Sequence, residues 1–158
     1  MTSMTNTQAY GLLHALLRTQ NPKLYYLSFE PLMLKKSEIK SLEEGRLLAL
    51  GKKLPQLYVC RKGVVVGQVD IGQINGEEVV IISAKERIPN LGKPEPKHVV
   101  LECRISILPK SSFVVGKLVR LSGSSLDHIL LFVKQELVAT AALVQNEEGY
   151  FLQIKKEN

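Results

Sequence analysis

Side chains that carry chemistry are scarce in this chain. It has two cysteines and three histidines in 158 residues. Neither cysteine has a CxxC neighbour, so the spacing of a zinc site is missing. His14, His98 and His128 stand far apart in three different contexts. No glycine-rich phosphate loop occurs: Gly63 and Gly67, or Gly72 and Gly76, read as turn and strand-packing residues. The segment Ser122-Gly123-Ser124-Ser125 lacks the strand–turn–helix setting of a nucleophile elbow. The expectation is a protein that is not an enzyme and takes neither a cofactor nor a metal. Long apolar runs are also absent. The longest uninterrupted one, residues 129–133, is far too short for a membrane span. No basic stretch followed by an apolar h-region opens the chain, so no secretory leader is expected and the cytoplasm is the default. In that compartment Cys60 and Cys103, each inside an apolar run, are expected as buried free thiols, with pairing as the alternative.

What is present is ordinary for a folded protein: 45% hydrophobic and 23% charged residues. The net charge of +6 is unevenly spread. Residues 1–63 hold ten Lys/Arg against four Asp/Glu, and residues 64–158 hold eleven of each. No Lys/Arg run exceeds two, which reads as solvated loop charge. A basic balance admits an anionic partner, and a small β-barrel that binds nucleic acid is the alternative function. Its stacking platform would be Tyr25, Tyr26 and Phe29 beside Lys23, Lys35 and Lys36. Tyr25 and Tyr26 are adjacent, however, so a strand sends them to opposite faces. Nucleic acid is therefore an unlikely partner on the residues themselves.

The dominant feature is an internal repeat. Residues 65–82 and 137–154 align at an offset of 72, each as two β-branched runs around a polar turn, the pattern of a hairpin. Ahead of them, Glu44-Gly45-Arg46-Leu47-Leu48-Ala49-Leu50 matches residues 115–121 at an offset of 71. Further strands are expected over 24–34, with a bend at Pro31, and over 57–61, 99–107 and 128–133. Ser37 is placed to cap one helical turn over 37–42. Residues 84–97 hold three prolines and mixed charge, and read as a stiff, extended linker. Ahead of all this, residues 8–18 place Leu12, Leu13, Leu16 and Leu17 at helical spacing, which predicts a short amphipathic helix ended by Pro22. The organisation expected is a tail and short helix over 1–22, one module over 23–83, a linker over 84–97 and a second module over 98–158. Strands such as 129–133 and 79–82 are apolar on both alternating faces, which calls for a second sheet wrapped over them.

The order of these parts resembles the SpoA domain, the C-terminal domain of the flagellar switch proteins FliN and FliM and of the type III secretion C-ring component. The best stretch is Val115-Gly116-Lys117-Leu118-Val119-Arg120-Leu121 followed by Leu137-Val138-Ala139-Thr140-Ala141-Ala142-Leu143-Val144. The first module matches at Leu42-Glu43-Glu44-Gly45-Arg46-Leu47-Leu48-Ala49-Leu50. Two such domains in tandem look like the C-terminal region of the injectisome C-ring protein of the SctQ type. The resemblance implies a mostly β fold in which two small modules embrace as an intertwined pseudo-dimer. It also implies a non-enzymatic scaffold of the secretion sorting platform or flagellar switch, at the cytoplasmic face of the export apparatus. Its partners would be the stator-type regulator of the secretion ATPase (the FliH or SctL type), other C-ring subunits, and SpoA modules within or between chains. The chain departs from flagellar relatives where an acid and a valine run follow the small-residue step. Ala141-Ala142-Leu143-Val144-Gln145 lacks the acid, and Val69-Asp70-Ile71-Gly72-Gln73 keeps it. A partner-binding groove is expected at Leu143 and Val144, with Ile71 as counterpart and Leu12, Leu16 and Tyr10 covering or extending it.

Overall fold

The computed structural model describes residues 23–61, 64–88, 95–121 and 125–155. The expected helix over 8–18, with Tyr10, Leu12 and Leu16, lies outside the described residues. Among those described, β-branched and aromatic runs form ten strands: β1 (Tyr25–Lys35), β2 (Leu47–Gly51), β3 (Leu57–Arg61), β4 (Val64–Ile74), β5 (Glu77–Ala84), β6 (His98–Leu108), β7 (Leu118–Arg120), β8 (Ile129–Val133), β9 (Glu136–Asn146) and β10 (Gly149–Lys155). One short helix, α1 (Lys36–Lys40), follows β1. The protein is mostly β, as the sequence pattern requires.

All ten strands belong to one antiparallel sheet in the order β2-β10-β9-β8-β6-β1-β3-β4-β5-β7. Read outward from the centre, that order is the same on both sides. β1 and β6 pair along their length, Tyr26 opposite Ile107 and Leu34 opposite Val99, with register shifts between Leu27 and Ser28 and between Phe29 and Leu32. Each flank then runs through β3, β4 and β5 or through their counterparts 72 residues later, β8, β9 and β10. The outermost strands change sides. β2, from the first half of the chain, pairs with β10 of the second, placing Leu48 opposite Leu152. β7, from the second half, pairs with β5 of the first, placing Val80 opposite Val119.

Local chemistry sets the tight connections. Asn75 and Gly76 both take positive φ, 51° and 80°, the handedness that a two-residue hairpin turn between twisted strands needs. Lys134 and Gln135 do the same at 49° and 68° between β8 and β9, so Glu136 belongs to the strand rather than the turn. At α1 the expected cap is corrected. The helix starts at Lys36, directly as β1 ends, so Ser37 is already inside it. The carboxylate of Glu38 accepts from the Lys35 backbone N–H at 3.1 Å, which satisfies a donor that the helix itself leaves open.

The core alternates between two clusters. Leu57 and Val59 of β3 and Ile129 and Leu131 of β8 point into the larger one, which draws on strands from both halves of the chain. Tyr58 and Cys60, with Leu130 and Phe132, point to the opposite face and form the smaller one with Tyr26 and Val65. Period-two alternation therefore buries both faces of the same strands. No second sheet exists among the described residues; side chains of the same sheet and its flanking segments supply the cover. Each fully buried Leu, Ile or Phe contributes about 1.5–3 kcal/mol by leaving water. The described start of the segment read as a linker is tied to the sheet. Ala84 ends β5, and the backbone N–H groups of Glu86 and Ile88 donate to Val66 and Val65 carbonyls. Ile88 packs on the smaller cluster.

Candidate functional site

β4 and β9 are long strands whose distal ends leave the core together. Their outer residues are half-buried, in contrast to the sealed β3 and β8. A cavity of about 290 Å³ opens there, lined by Phe29, Leu54, Ile71, Glu78, Leu126, Leu143, Val144, Gln145 and Tyr150. Three of the residues expected at a binding groove, Ile71, Leu143 and Val144, share this one cavity. Leu143 and Ile71 also pack against the large core cluster. Tyr10, Leu12 and Leu16 lie outside the described residues.

The lining follows the repeat. Leu54 and Leu126, Ile71 and Leu143, and Glu78 and Tyr150 are each 72 residues apart. The cavity therefore lies where equivalent positions of the two halves face each other. One pair breaks the equivalence: Val144 stands where the first half has Gly72. The floor is apolar, from Phe29, Leu54, Leu126, Ile71 and Leu143, and Glu78, Gln145 and Tyr150 supply the polar atoms. A second hollow of about 200 Å³ shares Leu54 and Ile71 and extends to Pro55, Gln56 and Asp70. There the Gln56 amide donates to the Val69 carbonyl at 2.7 Å and to the Leu57 carbonyl at 2.9 Å, bracing the rim. Such a surface suits an apolar side chain or a short amphipathic segment held by a few hydrogen bonds. It offers no nucleophile paired with a base.

Leu54, Leu126, Glu78 and Tyr150 were not among the residues expected at the groove. They fall in turns or at strand starts, where hydrophobic periodicity says nothing. The 72-residue offset, carried into the turns, is the signal that finds them.

A larger cavity of about 490 Å³ lies against the other cluster, with Cys60, Val65, Val99 and Phe132 among its apolar lining. Its charges are mixed, Lys36, Lys97 and Lys134 against Glu95 and Glu102. Beside it Arg104 is buried, with its guanidinium 3.9 Å from the Phe132 ring centroid and 4.3 Å from that of Tyr26. It donates to Glu102 at 2.9 Å and to the Gln135 side-chain oxygen at 2.9 Å. The aromatic residues expected as a stacking platform are not presented together. Tyr26 and Phe29 are buried, and the Tyr25 ring sits 5.1 Å from Phe113 with Arg61 over it at 5.2 Å.

Both cysteines are free and buried, as expected. Burial first, and then the Glu102 carboxylate, raise the Cys60 and Cys103 thiols and the Tyr26 phenol far above their ordinary ranges. The sign follows directly. In the unfolded chain these groups lose protons near 9.0 and 10.0, whereas in the folded chain they hold them. Stability present below pH 9 should therefore fall as pH rises, by about 1.4 kcal/mol per pH unit for each group fully out of step. Urea midpoints measured from pH 8 to 10.5 should decline continuously. A flat profile would mean that the thiols and phenol titrate alike in both states.

No protein-family model matches the chain, and no curated protein matches it. Among the described residues, no helix is long and apolar enough to cross a membrane, and no group of three or more His, Cys, Asp or Glu is placed to hold a metal ion.

Proposed function

We propose that the chain is a non-enzymatic scaffold of a type III secretion sorting platform or flagellar switch, built from two SpoA-like modules, residues 23–83 and 98–158, that embrace as an intertwined pseudo-dimer. One observation carries this reading: the strand order is the same from the centre to either edge, and the outermost strand of each half is exchanged. An exchanged strand makes each half incomplete without the other, which is the arrangement expected of small modules that bury too little surface alone. The shared cavity is the docking groove, with Leu143, Val144 and Ile71 as its apolar contacts. Its occupant is an apolar segment of the stator-type regulator of the secretion ATPase, and other C-ring subunits are further partners. The site of action is the cytoplasmic face of the export apparatus. Burial of Tyr26 and Phe29 weighs against the alternative of a nucleic-acid-binding barrel.

Val144→Asp places a charge on the cavity wall at the position where the two halves differ. With purified stator-type regulator titrated in a calorimeter, the variant should bind at least about tenfold more weakly, a loss of roughly 1.4 kcal/mol, because an unpaired charge is desolvated in the groove. Its circular dichroism should match that of the parent. Wholesale unfolding would place Val144 in the core, and undiminished binding would move the groove elsewhere. Tight, salt-sensitive retention of the parent chain on single-stranded DNA would overturn the scaffold reading itself.

A further inference from the structure

The groove shared by the two halves carries charge on one side only. Its main cavity has Glu78 on the rim, and the adjoining hollow adds Asp70 beside Leu54 and Ile71. Both acids come from the first half of the chain. The positions 72 residues later, Tyr150 and Ala142, are not acidic. Among the described residues no Lys, Arg or His lines either hollow. Both acids are exposed, and neither carboxylate is paired with a cation or hydrogen-bonded to another side chain among the described residues. The adjacent Glu77 differs, since the Arg120 guanidinium holds it at 2.6 Å. In a chain of net charge +6, two acids without cations at this groove do not follow from overall composition.

Bulk falls on the other side. Leu143, Val144 and Tyr150 belong to β9 and β10, and Val144 stands where the first half has Gly72. At about 290 Å³ the cavity is just below the roughly 300–1,000 Å³ of a small-molecule pocket, so it suits a bulky side chain of a longer segment. With identical halves, the repeat would let such a segment lie in either direction with equal energy. The differences between Glu78 and Tyr150, and between Gly72 and Val144, remove that degeneracy. Exposed carboxylates add little to affinity, yet they set orientation, association rate and salt dependence.

We infer that the groove accepts an amphipathic segment in one direction, its Lys or Arg side chains toward Asp70 and Glu78 and its bulky apolar side chain against Leu143, Val144 and Tyr150. The occupant is a basic-flanked apolar segment of a partner protein, selected by charge complementarity. This rests on the reading of the cavity as a docking groove, and it adds the partner's charge and direction.

Short random peptides displayed on phage are selected on the full chain and kept only where Val144→Asp abolishes their binding. The peptides kept should carry Lys or Arg at one end. In calorimetry, Asp70→Asn with Glu78→Gln should weaken them about threefold, and Asp70→Lys with Glu78→Lys about tenfold, the losses shrinking at high salt. Both positions are exposed, and circular dichroism checks the fold of each variant. A nitroxide at the basic end of a peptide should broaden the Glu78 amide signal more than that of Tyr150, and one at the apolar end the reverse. Peptides without basic residues, unchanged affinity in both double variants, or equal broadening from both ends would overturn the inference. If the stator-type regulator needs Val144 but not Asp70 and Glu78, this inference fails and the groove reading stands. If the peptides behave as stated and the regulator does not bind, only the partner assignment fails. If no selected peptide is sensitive to Val144→Asp, both fall together.

Discussion

Arg104→Ala should lower folding stability by about 3–5 kcal/mol, the scale expected when one partner of a buried ion pair is removed. The Arg104 side chain is 3% exposed and that of Glu102 14%, so this pair is not weakened by solvent as the exposed Arg120–Glu77 pair is. Removing the guanidinium takes the cation from the Glu102 carboxylate beside the Tyr26 phenol, removes the 2.9 Å bond to the Gln135 oxygen, and opens the gap between the Tyr26 and Phe132 rings. Arg104→Lys keeps the charge but loses the planar face and the fork, so it should recover only part of the loss. Glu102→Gln in the Arg104→Ala background should also recover part, because the stranded charge is gone. Urea unfolding of the four proteins checks this. A loss below about 1 kcal/mol, the value of an exposed pair, would mean that Arg104 is in effect solvated.

Gly67→Ala should cost about 2–3 kcal/mol by overpacking, lowering the melting temperature by roughly 4–12 °C. A Cβ at this position would lie 2.7 Å from Phe113 Cε1 and 2.8 Å from the Ala84 carbonyl oxygen. The ring has little room to retreat, since Tyr25 packs on it and the Lys85 ammonium sits 4.7 Å from its centroid. The residue 72 positions later is Ala139, which is buried without difficulty, so the requirement for glycine comes from Phe113 and the Ala84 carbonyl and not from the position in the repeat. Phe113→Leu, matching Leu42 of the other half, should relieve the ring contact and restore part of the melting temperature of Gly67→Ala. The Ala84 carbonyl cannot yield, so recovery should be incomplete. Calorimetry that shows no loss for Gly67→Ala would mean that β4 shifts freely against this ring.

Much of the sheet was legible because strands announce themselves locally. The apolar run at 129–133 and the Asn75-Gly76 turn each specify their element within a few residues. Ile71, Leu143 and Val144 were found by aligning the two copies of the hairpin. The rest of the cavity was not found, because Leu54 and Leu126 sit in turns with no period to read. Arg104 was also hidden. A charged residue inside an apolar strand reads as a surface position, and only the rings above and below it and the Glu102 carboxylate make its burial tolerable.

By itself the sequence determined which residues form strands, where the chain reverses, that the plan occurs twice, and that both thiols are buried. Each follows from side-chain chemistry acting over a few neighbours. Only the tertiary structure decided that β2 and β7 cross to the opposite flank and that one cavity draws on both halves. Edge pairing is made by backbone N–H and C=O groups, which every residue carries alike, so the choice between near and far partners leaves no mark in the local pattern. That choice is made by the fit of Leu48 and Val119 against the far half, a property of the assembled sheet.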